Sequence, residues 1–578
     1  MPSVNNVTEE DNIRLCDAVD GEFAISGTLL SFHDVIDSLE GKTTFFFGYY
    51  RFIDHPYIRK IKNTFRKKFG FDSCLLFCSV PAALLELLRC ISVEENRQPA
   101  RLILVDVDDI LSQFENHVPS IQESASFAGS NISSYKPHPK DLIIIQSRSV
   151  SILERHRKFI TSNLIPVVAV YDHPADIIDP ATIAEYHLLP LFADSNILNG
   201  CAILSNETSL MNRLSEDFRI RGTLLSSRNA KCFIHSRKAK VNRSSVEKKL
   251  NNKLAAMEEA ENCFLFPSGM NALATITDIL VSQEKNEVIT IGHCYTDTRA
   301  MMQYTSQSEF GIKGIFLDTE ELENLEQSIT HKTAAILTES ITNPLSDVPD
   351  LDYIFRISRQ HDIPIIVDNT IATPFNLKPL AHGATIVMHS TTKFLNGKHN
   401  HGGGCLVSND PALSNNIYEY QRILINTMSP LEMEVLLSNL NSFEERMVRF
   451  NQNAITIANW LENHKKVKKV YFNYLKSHRS YTIARKLLNG PGAVVSFTLI
   501  DDSEKGLKQF YDTPMNTIKK SPSLGSNHTL ICPYTLLAHY QESNKSLAEV
   551  GLSRYLIRLS VGCEFNISPI LEDIERAL

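Results

Sequence analysis

A chain of 578 residues with 43% hydrophobic and 21% charged side chains has ordinary globular composition, and at roughly 100–200 residues per domain it should hold three or four of them. The net charge of -8, from 58 basic and 66 acidic side chains, excludes a general nucleic-acid binder, which would carry a basic stripe. No apolar run approaches the roughly 18–20 residues that cross a bilayer, and the start MPSVNNVTEEDNIRLCD lacks the basic and apolar regions of a secretory signal, so a cytoplasmic protein without membrane partners is expected.

After about 20 residues of N-terminal tail, the chain to residue 428 alternates short aliphatic runs with longer amphipathic ones. RLILVDV, DLIIIQS, IPVVAVYD, EVITIG, AAILTE and IPIIVDN lack period-2 alternation, which predicts strands buried on both faces of a parallel sheet covered by helices. Beyond 430 the pattern changes to a long helical stretch (LEMEVLLSNLNSFEERMVRFNQNAITIANWLENH), the strands GAVVSFTLI and YLIRLSVG, and a terminal helix, ISPILEDIERAL; these predict a smaller α+β domain. The eleven cysteines are scattered through apolar segments and read as reduced, buried thiols. Cys74 and Cys78 lie close together, but no second Cys or His pair follows at zinc spacing, so no metal is expected.

Three segments recur in the same order. CLLFCSVPAALLELL from Cys74 parallels CFLFPSGMNALATIT from Cys263; IPVVAVYDHPADI from Ile165 parallels IPIIVDNTIATPF from Ile363; LNGCAILSN from Leu198 parallels LNGKHNHGGGCLVSN from Leu395. The matches include polar positions, so the chain is expected to carry a diverged large duplication. Its units are 20–228, 229–428 and the C-terminal 429–578, after a tail at 1–20.

The chemistry gathers in the second copy. Lys393, in HSTTKFLNG, follows a small-polar run on a turn after the strand ATIVMH. A desolvated lysine there can form an imine with an aldehyde cofactor, and the hydroxyls of Ser390 and Thr392 suit a phosphate. In FPSGMNAL a glycine between strand and helix lets the backbone approach an anion at a helix N-terminus. Asp368 ends the strand IIVD, where a carboxylate needs a partner; a pyridinium N–H is one, and a helix N-cap role is the alternative.

Together these segments resemble the Cys/Met-metabolism family of enzymes that use pyridoxal 5'-phosphate (PLP), over roughly residues 230–578. The matching motifs are Ser390–Lys393, Val367–Thr370, Glu339–Pro344, Ser268–Met270 and YLIRLSVGCE near the C-terminus. The resemblance implies a type I, aspartate aminotransferase-like α/β large domain with the C-terminal α+β domain, preceded by a degenerate copy of the large domain. It implies that Lys393 carries PLP and moves protons, and that Asp368 pairs with the ring nitrogen. Gly269 and Met270 would hold the phosphate with Ser390 and Thr392. Tyr295 would stack on the ring and take part in proton transfer, and Asn343 would lie by the ring hydroxyl. Arg558 would clamp the substrate α-carboxylate beside Ser523, a task that suits a planar bidentate donor.

The sequence departs from the family pattern at three places: His235-Ser236-Arg237 stands where the family has tyrosine-x-arginine, Pro522 precedes Ser523, and His528 replaces a glutamate. The first copy is expected to be silent. Aligning the LNG segments sets Asn196 opposite Lys393, and Val170 falls opposite Asp368; Cys78-Ser79-Val80-Pro81 replaces Pro-Ser-Gly-Met, and the proline removes an N–H donor. That copy does contain a tyrosine-x-arginine, Tyr49-Tyr50-Arg51, which in the family reaches a neighbouring subunit's phosphate. Two arrangements stay open. Residues 20–228 act as an internal partner that donates Tyr49 and Arg51, or the chain forms a homodimer or homotetramer in which Arg237 comes from a second chain.

The expected activity is γ-replacement on an O-acetyl- or O-succinylhomoserine by cysteine, giving cystathionine, because the extended N-terminal region and the stretch YTLLAHY resemble fungal-type cystathionine γ-synthases. A sulfide-using homocysteine synthase, a cystathionine γ- or β-lyase and a regulatory protein on a dead enzyme fold are the alternatives.

Overall fold

The computed structural model describes residues 31–40, 55–93, 101–105, 123–127, 136, 138–139, 141–146, 157–163, 166–171, 184–192, 198–237, 240–282, 284–304 and 312–578. Tyr49, Arg51 and Asn196 lie outside them. Among the described residues no helix is long and apolar enough to cross a membrane.

Most of the aliphatic runs picked out in the sequence become strands. The first sheet contains β1 (Ser73–Phe77), β2 (Arg101–Val105), β3 (Glu123–Phe127), β4 (Asp141–Gln146), β5 (Val167–Val170), β6 (Tyr186–Pro190) and β7 (Cys201–Ser205). The second contains β8 (Asn262–Phe266), β9 (Glu287–Ile291), β10 (Lys313–Leu317), β11 (Thr333–Glu339), β12 (Ile365–Asp368), β13 (Ile386–His389) and β14 (Gly404–Ser408). The first sheet runs β3-β2-β4-β5-β6-β7-β1 and the second β10-β9-β11-β12-β13-β14-β8, position for position the same order.

Neither sheet is wholly parallel. β7 runs antiparallel to β6 and β1, and β14 to β13 and β8, while the remaining pairs are parallel. The chain enters β14 from β13 through a loop, residues 390–403, without the helical crossover that a parallel return needs. That loop carries Lys393.

The helices that position the site are α1 (Pro56–Phe69), α2 (Val80–Val93), α3 (Thr208–Arg221), α4 (Ser227–Ile234), α5 (Arg243–Glu258), α6 (Gly269–Leu280), α7 (Pro411–Leu424), α8 (Pro430–Asn439) and α9 (Phe443–Glu462). The boundary expected at 228 falls inside α4. Ser226 caps α4 by accepting the Arg228 N–H, and the helix packs on α1 and also touches α8. The expected long helix after 430 is broken into α8 and α9 by a 3₁₀ turn at Leu440–Ser442.

The C-terminal sheet has the order β15 (Val467–Tyr471), β16 (Val494–Leu499), β19 (Ile557–Ser560), β18 (Leu530–Pro533), β17 (Lys519–Lys520). Its inner face joins one apolar core with β9, β11 and β12 and with α9, through residues such as Phe394, Phe450 and Phe497. This shared core fixes β19 opposite the C-terminal ends of the second sheet's parallel strands.

Candidate active site

In an open α/β sheet, ligands bind beyond the carboxyl ends of the parallel strands. The chemistry-bearing residues lie there. Tyr295 follows β9, Glu339 ends β11, Asp368 ends β12, and Ser390 to Lys393 follow β13. Gly269 opens α6 after β8. Arg558 and Ser523 arrive from the C-terminal domain, and all of these line one cavity of about 1160 Å³, including its open mouth.

Lys393 sits on the turn after β13, and its Nζ donates to the Ser523 Oγ at 3.1 Å. Burial, reinforced by the positive charge of Arg558, lowers its pKa from 10.5 to about 8. The amine is therefore neutral often enough near neutral pH to attack an aldehyde or accept a proton.

Asp368 and Glu339 are register partners on adjacent strands. Burial pushes both carboxyls up, opposed at Asp368 by the Thr370 hydrogen bonds and reinforced at Glu339 by the charge of Asp368. Asp368 Oδ1 accepts the Thr370 N–H at 3.0 Å. Glu339 accepts the Tyr295 N–H at 2.6 Å and the Asn343 N–H at 3.2 Å, so it ties two site residues together. Among the described residues no lysine or arginine pairs with Asp368, and a cationic ring N–H would relieve the crowding of two buried carboxylates. Behind Asp368, burial works to lower the His389 pKa, but the Glu258 carboxylate, 2.5 Å from Nε2, overcomes this and raises it.

The phosphate end also fits. Ser268 caps α6 by accepting the Asn271 N–H, and the N-terminus of this helix, Gly269 and Met270, lines the cavity. A Cβ on Gly269 would lie 2.8 Å from the Cβ of Ser390, so only glycine lets these two segments close around an anion. Thr392 Oγ1 accepts the Gly403 N–H at 3.1 Å and donates to the Gly403 carbonyl at 3.2 Å, which anchors the lysine loop.

At the other end, Arg558 is 2% exposed. It donates to the Asn343 Oδ1 at 3.1 Å, to the Ser523 carbonyl at 2.8 Å and to the Pro522 carbonyl, and its guanidinium lies 5.1 Å from the centre of the Tyr534 ring. Its Nε has no partner among the described residues, and none of their carboxylates pairs with it. A buried cation so placed calls for an anion from outside the chain.

The structure thus brings together Gly269, Met270, Tyr295, Asn343, Asp368, Ser390, Thr392, Lys393, Ser523 and Arg558. Arg237 is not among them: it is exposed just past the end of α4, with its N–H on the Cys232 carbonyl, and does not reach this chain's cavity. Three residues given no role from sequence join the site. Glu339 had a signal, since it heads the matching motif Glu339–Pro344. Asp297, which accepts the Tyr295 hydroxyl at 2.9 Å, had a weaker one as an acid two residues after the tyrosine. Arg219, ion-paired with Asp297, comes from the first unit and left no trace in the local pattern.

A desolvated lysine on the loop after a strand, an aspartate at a strand end and a glycine-opened helix on this sheet define an α/β enzyme that holds PLP. The model of the Cys/Met metabolism PLP-dependent enzymes matches residues 204–578. The L-methionine gamma-lyase of Fusobacterium nucleatum is 34% identical over 334 residues, 57% of this chain and 82% of that protein. The cystathionine gamma-lyase of Dictyostelium discoideum is 34% identical over 328 residues, 56% of this chain and 82% of the relative. Among solved structures, the cystathionine gamma synthase of Xanthomonas oryzae with aminoacrylate and cysteine superposes with a TM-score of 0.54 at 26% identity, covering 58% of this chain and 85% of that one. The chain belongs to the Cys/Met metabolism family of PLP-dependent enzymes.

Proposed function

We propose that the protein catalyses γ-replacement on an activated homoserine ester with cysteine as the incoming thiol, giving cystathionine. The observation that carries an amino-acid substrate is Arg558, a buried guanidinium without a carboxylate partner, on the same cavity wall as Ser523 and Lys393. The choice of replacement over elimination, and of cysteine over sulfide, rests on the resemblance of the N-terminal extension and Tyr534–Tyr540 to fungal-type synthases.

Bound against Asp368, the cofactor supplies an electron sink that acidifies the carbons next to it. The chain's own residues do the rest. Arg558 takes the substrate carboxylate and fixes which bond faces Lys393. Ser523, 3.1 Å from Nζ, holds the lysine against the substrate side of the cavity. With a pKa of about 8, Lys393 can accept a proton from one carbon and return it to another without leaving the site. Asn343 and Tyr295, tied to Glu339 by their N–H groups, keep their side chains facing the cavity. The open mouth admits the second substrate once the ester's acyl group has left.

Offering O-acetyl- or O-succinylhomoserine with cysteine or sulfide, and separately cystathionine alone, tests this reading. Cystathionine formed from an ester and cysteine is the expected product. Turnover of cystathionine alone, without synthesis from either ester, would replace the proposal with a lyase assignment.

A further inference from the structure

The two seven-stranded sheets share one strand order, and the three recurring sequence segments fall on corresponding strands: β1 and β8, β5 and β12, β7 and β14. Equivalent positions can therefore be read across. Ser79 is two residues past the end of β1, as Ser268 is past β8, and Arg89 is the tenth residue of α2 as Asp278 is of α6. Ser226 caps α4 as Ser429 caps α8, and Asn229 and Glu432 are the third residues of those helices.

The contacts between the units follow these equivalences. Ser226 Oγ donates to Glu432 at 2.9 Å, and Ser429 Oγ donates to Asn229 at 2.6 Å. Ser79 Oγ donates to the carbonyl of Leu424, the last residue of α7, at 2.6 Å, and Ser268 Oγ donates to the carbonyl of Gly222, one residue past the end of α3, at 2.8 Å, so these two contacts match to within one residue. Arg89 and Asp278, which are equivalent to each other, meet directly at 2.9 Å. Contacts of i with j repeated as j with i, and an equivalent pair meeting itself, are the signature of a twofold interface. Here that interface is built within one chain.

The interface also reads charge. A second catalytic unit docked on this face would set Asp278 against Asp278. The first unit sets Arg89 there, beside Arg221, and these two guanidinium groups hold Asp278 down to about 2 although its burial works in the opposite direction. The first unit cannot hold the cofactor in the same way, since Val170 ends β5 where Asp368 ends β12 and Val80-Pro81 stand where Gly269-Met270 open α6. It does reach the live cavity, whose wall includes Arg219, Gly222 and Leu224. Arg219 ion-pairs with Asp297, and Asp297 accepts the Tyr295 hydroxyl.

We infer that the first unit is a silent copy that takes the place of a second subunit in cis: it covers the Asp278 face of the catalytic unit and sets Tyr295 through Arg219 and Asp297. One chain then carries one site whose wall both units build, and Arg219 is a positioning residue. The inference needs the cavity to hold PLP but not the choice of thiol.

Charge reversal tests it in the full-length chain. Arg89→Asp and Asp278→Arg, each alone, should lower the thermal midpoint and weaken PLP retention. The two together in one chain should recover part of both losses, because Arg221 still faces position 278, and co-expressed single-variant chains should recover neither. Recovery by co-expression, or a double variant no better than either single one, overturns the cis arrangement. Arg219, half exposed, gives a second arm that does not threaten folding. Arg219→Ala should reduce kcat/KM about tenfold, the worth of one charge-assisted contact. It should also move the acidic limb of the pH profile upward, because the uncompensated Asp297 charge favours protonated Lys393. Arg219→Lys should return most of both. An unchanged profile in Arg219→Ala, or recovered activity when it is co-expressed with Lys393→Ala chains, removes the proposal. PLP bound with the expected spectrum but no γ-replacement would count against the proposed reaction alone.

Discussion

The pKa of Lys393 governs how readily the protein takes up its cofactor. An amine with an ordinary pKa of about 10.5 is neutral in roughly one molecule in 3000 at pH 7; at about 8, the fraction is roughly one in eleven, a gain of about 300-fold. Only the neutral amine attacks an aldehyde, so the rate of covalent PLP uptake by apoenzyme should rise tenfold per pH unit up to about pH 8 and then level off. Arg558→Gln, which removes the cation that assists burial in holding the lysine down, should move the bend to higher pH. The assay is the growth of cofactor absorbance after mixing, with hydride reduction at each pH and the modified residue located by peptide mass. A rate that keeps climbing through about pH 10, or label on another lysine, would refute the assignment of burial and Arg558 as the cause.

Asp368→Asn should weaken PLP binding at least about 100-fold, since removing one partner of a buried ion pair costs ~3–5 kcal/mol; equilibrium dialysis reads it, and a loss below tenfold would mean the ring nitrogen does not face Asp368. Gly525 has φ 75°, and a Cβ there would lie 2.5 Å from the Lys393 carbonyl carbon and the Phe394 nitrogen. Gly525→Ala should therefore destabilise by about 2–5 kcal/mol in denaturant unfolding and displace the lysine loop; a cost under about 1 kcal/mol contradicts the close approach. The raised His389 pKa implies a stabilisation fully present below the unfolded value near 6.5 and lost as pH rises through the folded value. The stability difference between wild type and Glu258→Gln should accordingly shrink as pH rises, and a difference constant with pH would show that His389 does not titrate against Glu258.

Glu258 and His389 illustrate how far local pattern reaches. Both are buried, and they meet across 131 residues of sequence. Nothing in either neighbourhood announces the pair. Lys393, Asp368 and Gly269 were legible because each sits at a strand-to-loop or strand-to-helix junction whose composition is set by the few residues around it. Arg558 was legible only through its motif, since its pairing with Asn343 and Ser523 depends on how the C-terminal sheet docks. The single reversed strand of each sheet escaped the reading because buried β7 and β14 have the same aliphatic texture as their parallel neighbours.

By itself, then, the sequence determined the alternation of buried strands and helices, the recurrence of three segments, and which set of those segments carries the lysine and the strand-end aspartate. These are local properties, written in side chains whose burial and backbone geometry depend on near neighbours. The tertiary structure decided that the two seven-stranded units face one another through reciprocal contacts, that Arg89 meets Asp278, and that Arg219 reaches Asp297 at the cavity that holds Lys393. These two pairings join charges 189 and 78 residues apart in the sequence. Only the packing of one sheet's helices against the other's brings them within range, and that is why Tyr295, plain in the sequence as a candidate, gains its partner only in the fold.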